Sequence, residues 1–252
     1  MKVTSTYERI ISNLNFLKSK ESLAVLDQTL EQVNKNNLTF VGGFLYFTQA
    51  QVEKKKQNLI QHSVKVAGFP SVKTLSEFDF DFQESINKQQ IYDFNSLRFI
   101  DKQENIVFYG NSGVGKTHLA ISIGVTAAQN RKSTYFIKCA RLMEILKKAQ
   151  LEGKLEERLK KFCGYKLLII DELGYLPITK EESKLFFQLI DRRYEKHSTI
   201  ITTNINFSQW DDVFGDPLIA SAIVDRLLHH SHVAKITGNS YRLKDFFKKA
   251  DE

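Results

Sequence analysis

The chain has 252 residues, of which 42% are hydrophobic and 26% charged, with 12 glycines and 3 prolines. This length and composition allow one substantial folded domain plus a smaller one, and they argue against large-scale disorder. The net charge of +7 at pH 7 favours a polyanionic partner, because basic surfaces release the counterions condensed on nucleic acid.

The cysteine content and the N-terminal sequence indicate the cellular compartment. Cys139 and Cys163 are too few for a disulfide framework and too far apart for a zinc knuckle or a redox motif. Glu8 and Arg9 fall where a signal peptide requires an apolar core, and the longest apolar stretch, 38–47, is too short to cross a bilayer. We therefore predict a reduced, cytoplasmic protein with no membrane partner.

The first 69 residues have the pattern of a small helical domain. Apolar residues recur at helical spacing between 23 and 33, and no strand pattern or turn dipeptide interrupts them. The region is rich in lysine, and Lys54, Lys55 and Lys56 lie on a predicted helix. These lysines form either a contact to a DNA backbone or an ordinary solvated helix face. No recognition helix is evident, so any DNA contact is expected at phosphates rather than bases.

A domain boundary is predicted at Gly68-Phe69-Pro70, because the residue before a proline is pushed out of helical geometry. The second domain then covers 70–252, with 70–104 as its leading segment. Within it, apolar runs alternate with helical patterns, which indicates a parallel sheet covered by helices on both faces. The predicted strands are 106–109, 134–137, 167–170, 199–202 and 233–236, and the predicted helices between them are 119–128, 141–150 and 181–195.

The first predicted strand leads directly into a phosphate-binding pattern, G-x-x-x-x-G-K-[ST], matched at every fixed position. Its residues are Gly110, Asn111, Ser112, Gly113, Val114, Gly115, Lys116 and Thr117. Glycines let the backbone N–H groups turn towards phosphate, and the following helix presents its positive N-terminal end to the same anion. We predict that Lys116 contacts the β- and γ-phosphates of ATP, that Thr117 binds Mg²⁺, and that the adjacent His118 also lies at the nucleotide.

Two further strands end in polar side chains. Asp171 and Glu172 follow the strand at 167–170, where Asp171 is predicted to hold Mg²⁺ and Glu172 to act as the base for an attacking water. The alternative is that both cap a turn. Asn204 follows the strand at 199–202 and is either a holder of that water or a turn former. With the phosphate loop, these residues predict ATP hydrolysis rather than binding alone.

At this point the chain resembles the IstB-type ATPases, the AAA+ helper proteins of insertion-sequence transposition. The resemblance covers essentially the whole ATPase domain, whereas 1–69 matches in length and character only. The segments that carry it are 69–70, 73–75, 78–80, 110–120, 171–177, 193–195, 198–200, 203–204, Trp210, 214–217, 225–230 and 240–242. The expected fold is therefore an AAA+ P-loop NTPase sheet preceded by a small all-helical domain.

The resemblance implies roles that residue spacing alone does not assign. Arg226 matches the position from which an AAA+ subunit inserts an arginine finger into its neighbour's site, which implies a homo-oligomer formed with ATP. A surface ion pair with Asp225 is the alternative for this arginine. Arg242 matches a second nucleotide-sensing arginine. The family function implies a bacterial cytoplasmic protein that assembles on duplex DNA, through the lysines at 54–56 among others, and recruits a transposase.

Other functions stay open on the sequence. A DnaC-type replicative helicase loader carries the same ATPase motifs, and the sequence does not say which partner the N-terminal region binds. A small-molecule P-loop kinase would need an acceptor pocket and an arginine-rich lid. This chain instead has Asp171, Glu172 and Asn204 arranged for water. The aromatic residues at 78–82 either flank the adenine or pack the leading segment.

Three histidines near the C-terminus are candidate metal ligands. His229, His230 and His232 have no carboxylate or cysteine beside them in the sequence to complete a ligand set. We therefore expect these histidines in a subunit contact or at a solvated helix end.

Overall fold

The computed structural model describes residues 5–244, which fall into two compact units divided between 62 and 63. The first unit is helical, with α1 (Thr6–Phe16), α2 (Lys20–Lys35) and most of α3 (Phe40–Val66). A capping box starts α1: the Ser5 hydroxyl accepts from the Glu8 N–H, and the Glu8 carboxylate accepts from the Ser5 N–H.

The buried face of α2 differs from the one that its apolar spacing predicts. Val25 and Leu26 are buried, whereas Leu30 is 38% exposed. Thr29 is buried in its place because its hydroxyl donates to the Val25 carbonyl, so the polar group is satisfied inside the helix. The helix prediction was correct, and Thr29, whose hydroxyl is hydrogen-bonded, takes the buried position instead of Leu30.

The second unit is built on a five-stranded parallel sheet in the order β2-β3-β4-β1-β5. Its strands are β1 (Asn105–Gly110), β2 (Thr134–Lys138), β3 (Leu167–Leu173), β4 (Ser198–Thr203) and β5 (Ser231–Ile236). Each covers a predicted strand and extends slightly beyond it. The parallel sheet expected from the alternation of strands and helices is confirmed.

Eight helices of the described second unit follow α3. They are α4 (Lys88–Asn95), α5 (Arg98–Asp101), α6 (Lys116–Gln129), α7 (Cys139–Leu151), α8 (Leu155–Cys163), α9 (Lys180–Arg193), α10 (Trp210–Phe214) and α11 (Pro217–Leu228). Short 3₁₀ turns lie at Leu75–Glu77, Phe207–Gln209 and Tyr241–Leu243. Within the described part of the chain, no helix combines the length and apolar character needed to cross a membrane.

Helices cover both faces of the sheet, because successive residues of a strand point to opposite sides. Ile106 and Phe108 of β1 pack into a core with α4 and α6, while Val107 between them packs into a second core with α7, α9 and α11. Both cores are almost purely apolar, which is typical of a parallel sheet buried on two sides. This packing holds the sheet in place, and with it the edge at which the C-terminal ends of the strands meet.

The C-terminal end of α9 is anchored by a buried arginine. Arg193 is 2% exposed, and its guanidinium donates to the carbonyls of Phe162, Tyr165 and Ser198 and to the hydroxyl of Thr199. Burial lowers the pKa of Arg193 to about 10. These bonds tie the end of α9 to the start of β4 and fix the backbone position of the residues that follow.

Candidate nucleotide-binding site

The phosphate loop is shaped by glycines with close neighbours. Gly113 has a φ of 82° and Gly115 a φ of 101°, a left-handed region that side-chain-bearing residues rarely adopt. A Cβ on Gly113 would lie 2.0 Å from Ser240 Oγ, and one on Gly115 would lie 2.5 Å from Phe78 Cε2. The Tyr241 N–H also donates to the Gly113 carbonyl at 2.9 Å. The loop is therefore held between the leading segment and the residues after β5.

Lys116, the first residue of α6, folds back over this loop. Its Nζ donates to the carbonyl oxygens of Gly110 at 2.7 Å and Asn111 at 2.6 Å. Burial, with the positive charge of Arg242, lowers the pKa of Lys116 against the opposing pull of Asp171 and Glu172. The ammonium group thus lies at the loop where a phosphate is predicted to bind.

Asp171 is buried and accepts two hydroxyl hydrogen bonds on one oxygen. Thr117 Oγ1 donates to its Oδ1 at 2.8 Å, and Thr202 Oγ1 donates to the same atom at 2.6 Å. Burial raises the pKa of Asp171, and the two hydrogen bonds oppose that rise. Two ligands of an octahedral Mg²⁺ with bonds of about 2.1 Å lie about 3 Å apart, so Thr117 and Asp171 have the spacing and the oxygen chemistry for that ion. Thr202 is a residue that the sequence analysis missed.

Glu172 sits on an unusual backbone at the same strand end. Its φ is 60°, and the pairing of β3 with β4 shifts register between Ile170 and Leu173, so a bulge turns this residue out of the strand. Its N–H donates to Thr202 Oγ1 at 2.9 Å, and its Oε2 lies 2.9 Å from Nζ of Lys138 at the end of β2. Bonding to Glu172 raises the pKa of Lys138. Lys138 is a second residue that the motifs did not identify.

A cavity of about 470 Å³ opens between the loop and these strand ends. Its lining includes the loop residues from Ser112 to His118 together with Glu172, Asn204 and Arg242. Gly110 and Asn111 do not line it, and their carbonyls bind Lys116 instead. Four parts of the predicted site that are widely separated in the sequence, the loop, Glu172, Asn204 and Arg242, thus meet at one cavity, whereas the buried Asp171 is not among its lining residues.

The leading segment forms the other wall of this cavity. Phe78 lines it, and its ring packs edge-on against His118, whose Nε2 lies 2.9 Å from the Thr74 carbonyl oxygen. Of the aromatic residues at 78–82, only Phe78 reaches the cavity. Gln83 lines it as well: its Nε2 donates to the Asn239 carbonyl, while its buried Oε1 has no partner among the described residues.

Arg226 lies outside the cavity, on the side of α11 that packs against α9. Its Nε donates to Asp191 Oδ1 at 2.6 Å, and its guanidinium lies over the ring of Phe187. The sequence offered Asp225 as the ion-pair partner of Arg226, and this partner is wrong: the arginine pairs with Asp191. Adjacent residues of a helix do not face each other, whereas Asp191 projects from the neighbouring helix.

The histidines after α11 have carboxylate neighbours that the sequence did not reveal. His230 Nε2 lies 3.2 Å from Glu195 Oε1, and His232 Nε2 lies 2.9 Å from Glu104 Oε2. The expectation that no carboxylate accompanies these histidines is therefore wrong: the turn after α9 supplies Glu195, and the pairing of β1 with β5 brings Glu104 to His232. We call Asp191, Tyr194 and Glu195 together with Arg226, His229 and His230 the α9–α11 surface.

Lys54, Lys55 and Lys56 are all exposed on α3 in the helical unit. Their exposure is compatible with either of the two readings, a DNA contact or a solvated face.

The sheet order, the loop after β1 and the carboxylate pair at the end of β3 define a P-loop NTPase of the AAA+ kind. Within that class, the chain belongs to the family of IstB-like ATP binding proteins, whose family model matches residues 13–249. The predicted family is confirmed.

One relative agrees with this family assignment, and two solved structures share the fold. A protein of Bacillus thuringiensis subsp. berliner, described as an insertion sequence IS232 ATP-binding protein, is 55% identical over 248 residues, covering 98% of this chain and 99% of its own length. The crystal structure of DnaI matches with a TM-score of 0.57 at 22% identity, over 66% of this chain and 91% of that one. The structure of the DnaC helicase loader matches with a TM-score of 0.51 at 26% identity, over 59% and 86%.

Proposed function

We propose that this protein is an Mg²⁺-dependent ATPase that assembles on duplex DNA as a homo-oligomer and recruits a transposase. The observation that carries the ATPase part is the contact of Thr117 with Asp171 at 2.8 Å, with Glu172 turned out of the strand beside them. Thr117 and Glu172 line the cavity and Asp171 accepts from Thr117, and this set of one hydroxyl and two carboxylates suits hydrolysis better than binding alone.

Each residue has a distinct part in the proposed reaction. The loop N–H groups and Lys116 bind the β- and γ-phosphates, while Thr117 and Asp171 hold Mg²⁺, which neutralises charge that develops on the phosphate oxygens. Glu172 accepts a proton from the attacking water, and Asn204 orients that water. Lys138 holds the Glu172 carboxylate at the cavity wall through its 2.9 Å contact.

Oligomer formation enters through Arg226. In a single chain this arginine pairs with Asp191 and does not line the cavity. An arginine at this position completes a site only when a neighbouring subunit presents it, so hydrolysis would depend on assembly. Arg242, which does line the cavity, would report the bound phosphates from within the same chain.

The DNA and transposase parts of the proposal are supported by the family. The IS232 relative is described as an insertion-sequence protein, and the chain carries a net charge of +7, with exposed lysines at 54–56. Contacts from such lysines to phosphates would give binding that weakens with salt and reads no sequence. A protein that works on chromosomal DNA in a bacterium would act in the cytoplasm.

The direct test is fluorescence anisotropy of labelled duplex DNA with protein, Mg²⁺ and ATP. We expect the wild-type protein to bind DNA tightly when ATP is present. Glu172→Gln should form DNA complexes that persist, because it does not hydrolyse the ATP. For Lys116→Ala, ATP should not change DNA binding. Replacing Lys54, Lys55 and Lys56 together by Gln should weaken binding and reduce its salt dependence. The matched control replaces three exposed lysines of the ATPase unit, Lys154, Lys160 and Lys161, and should keep the affinity. Nucleotide-independent binding by the wild-type protein would contradict the proposal.

The second candidate is a helicase loader, favoured by the 26% identity with the DnaC helicase loader structure. Co-purification separates the two: retention of a transposase encoded beside this chain supports the first function, and retention of a replicative helicase supports the second. Phosphate release with no acceptor present would exclude a small-molecule kinase.

A further inference from the structure

Three side chains at the ends of α9 and α11 bring metal-binding atoms together. Glu195, His229 and His230 each place one ligand atom within 4.8 Å of the other two. We propose that this His₂Glu cluster binds a divalent transition metal ion of the Zn²⁺ class. The proposal concerns a site separate from the nucleotide cavity, none of whose lining residues belongs to the cluster.

The donor set selects the class of metal. Two imidazole nitrogens and one carboxylate oxygen suit Zn²⁺ and its neighbours in the first transition row, whereas Mg²⁺ and Ca²⁺ prefer oxygen ligands alone. Tetrahedral Zn²⁺ with bonds of about 2.1 Å places its ligand atoms about 3.3 Å apart. The 3.2 Å between His230 Nε2 and Glu195 Oε1 already has that spacing. All three side chains are exposed, so His229 can close the remaining distance by side-chain rotation.

Tyr194 holds the two imidazoles in place before any metal binds. Its ring stacks on His229 and His230 with interplanar angles of 25° and 20°. Its hydroxyl lies 2.5 Å from Nδ1 of His229. When Nδ1 carries the hydrogen and donates it to the phenol oxygen, the lone pair of Nε2 is left for the metal. Metal-binding histidines are commonly oriented by an acceptor on their other nitrogen in this way.

The backbone and the local charges also favour a cation. Glu195 follows Arg193, whose buried hydrogen bonds anchor the turn, and the Lys196 and His197 N–H groups both donate to the Arg193 carbonyl. The nearby charge of Arg226 is offset by its pairing with Asp191. With neutral imidazoles, the cluster then carries the single negative charge of Glu195.

A bound metal would join the end of α9 to the end of α11. Arg226 lies one helical turn before His230, so the metal would fix the helix that presents this arginine. An effect of the metal on Arg226 and hydrolysis rests on the proposed function, whereas metal binding itself does not.

The test uses full-length protein without an affinity tag, stripped with chelator and free of nucleotide. Zn²⁺ is titrated by calorimetry and Co²⁺ by visible absorption, which reports nitrogen and oxygen ligation. We expect one ion per chain and a higher melting temperature with Zn²⁺. His229→Gln, His230→Gln and Glu195→Gln should each weaken binding by about 100-fold, and Tyr194→Phe by about tenfold.

The matched control is His232→Gln, which removes a neighbouring histidine that pairs with Glu104 instead. It should keep the wild-type affinity, and far-ultraviolet circular dichroism of each metal-free variant checks that it folds. No binding at micromolar Zn²⁺, or equal binding by folded cluster variants, would overturn the proposal. Loss of the ion in Asp171→Asn would also overturn it, because the metal would then belong to the nucleotide site. Since no ATP or DNA is present, this result is independent of the ATPase test.

Discussion

The nucleotide site and the α9–α11 surface are assembled in different ways. At the nucleotide site, the polar atoms come from the C-terminal ends of strands and from the phosphate loop with the start of α6, and the central carboxylate, Asp171, is buried with two hydroxyl donors. On the α9–α11 surface, each contact joins the end of α9 or the turn after it to the end of α11 or the turn after it, through side chains 35 positions apart: Asp191 to Arg226, Tyr194 to His229 and Glu195 to His230.

This difference has energetic consequences. Buried hydrogen bonds to a charged group contribute about 1.5–3 kcal/mol each, whereas exposed ion pairs contribute about 0–1 kcal/mol. The nucleotide site is therefore fixed by the sheet, while the surface contacts can exchange partners at little cost. A surface of this kind is suited to rearrangement when another subunit docks.

The largest expected effect tests whether that surface acts on a neighbour's site. Arg226→Ala should reduce steady-state phosphate release by about 10³- to 10⁵-fold, because the transition state loses the charge of the arginine. Stability should change by about 1 kcal/mol, since the arginine loses a partly exposed ion pair with Asp191 and its contact with the Phe187 ring. Mixing Arg226→Ala with Lys116→Ala should restore activity, because each subunit supplies what the other lacks.

The control for this experiment is Arg192→Ala, which removes an arginine of the neighbouring helix α9 that pairs with Glu156. It should leave the rate unchanged. A loss of less than about tenfold for Arg226→Ala would show that the arginine is only a surface ion pair.

The second prediction concerns the base at the nucleotide site. Glu172→Gln should lower the rate of hydrolysis by about 10²- to 10⁴-fold while nucleotide affinity is kept, since the amide cannot accept the proton of water. Single-turnover phosphate release and binding of a fluorescent ATP analogue measure the two quantities. Glu181→Gln, an exposed acidic residue at the start of α9, is the control. An unchanged rate of hydrolysis in Glu172→Gln would show that Glu172 is not the base.

These two regions also differ in what a sequence can predict. The phosphate loop, Asp171 and Glu172 are contiguous motifs after apolar strands, so their convergence follows from the parallel sheet. Thr202 and Lys138 escaped because their roles depend on register: Lys138 pairs with Asp171 across the sheet. A threonine near the C-terminal end of buried β4, and a lysine at the end of β2, were the available signals.

The α9–α11 surface gave no such signal. Its pairs depend on how two helices pack, and the sequence alone offered Asp225 as the partner of Arg226 and no carboxylate for the histidines. The face of α2 was mispredicted for a related reason, because Thr29 satisfies its own hydroxyl and can be buried. Side-chain pairing between elements is decided by tertiary packing, which periodicity does not encode.

The third prediction sharpens the role of the missed lysine. Lys138→Met should lower the turnover number by up to about fivefold, because an exposed ion pair of at most about 1 kcal/mol no longer holds the Glu172 carboxylate. Lys138→Arg, which keeps a donor, should recover most of the rate. An equal loss in both variants would indicate that the lysine acts through packing rather than through its bond to Glu172.

The fourth prediction concerns the cost of burying Asp171. Burial raises the pKa of this carboxyl above its unfolded value, so its ionised form destabilises the fold. This cost is absent below the unfolded pKa and fully present above the folded one. Asp171→Asn, whose amide oxygen can still accept from both hydroxyls, should raise the free energy of unfolding at neutral pH and leave it unchanged in acid.

Urea denaturation at the two pH values, without Mg²⁺, measures this difference. Asp211→Asn, a substitution in the first turn of α10, is the control and should show no such gain. A loss of stability at neutral pH in Asp171→Asn would mean that the hydroxyl hydrogen bonds outweigh the cost of burial.

The smallest expected effect returns to the α9–α11 surface. Asp191→Asn removes the charge that holds Arg226 in its own chain, and it should change stability by no more than about 1 kcal/mol. If the arginine must leave this pair to reach a neighbour's site, the variant should hydrolyse ATP up to about fivefold faster, since about 1 kcal/mol of the cost is removed. The gain should shrink at high salt, where the wild-type pair is already screened. A rate as low as that of Arg226→Ala would instead make Asp191 a positioning residue, and the surface would then be as fixed as the nucleotide site.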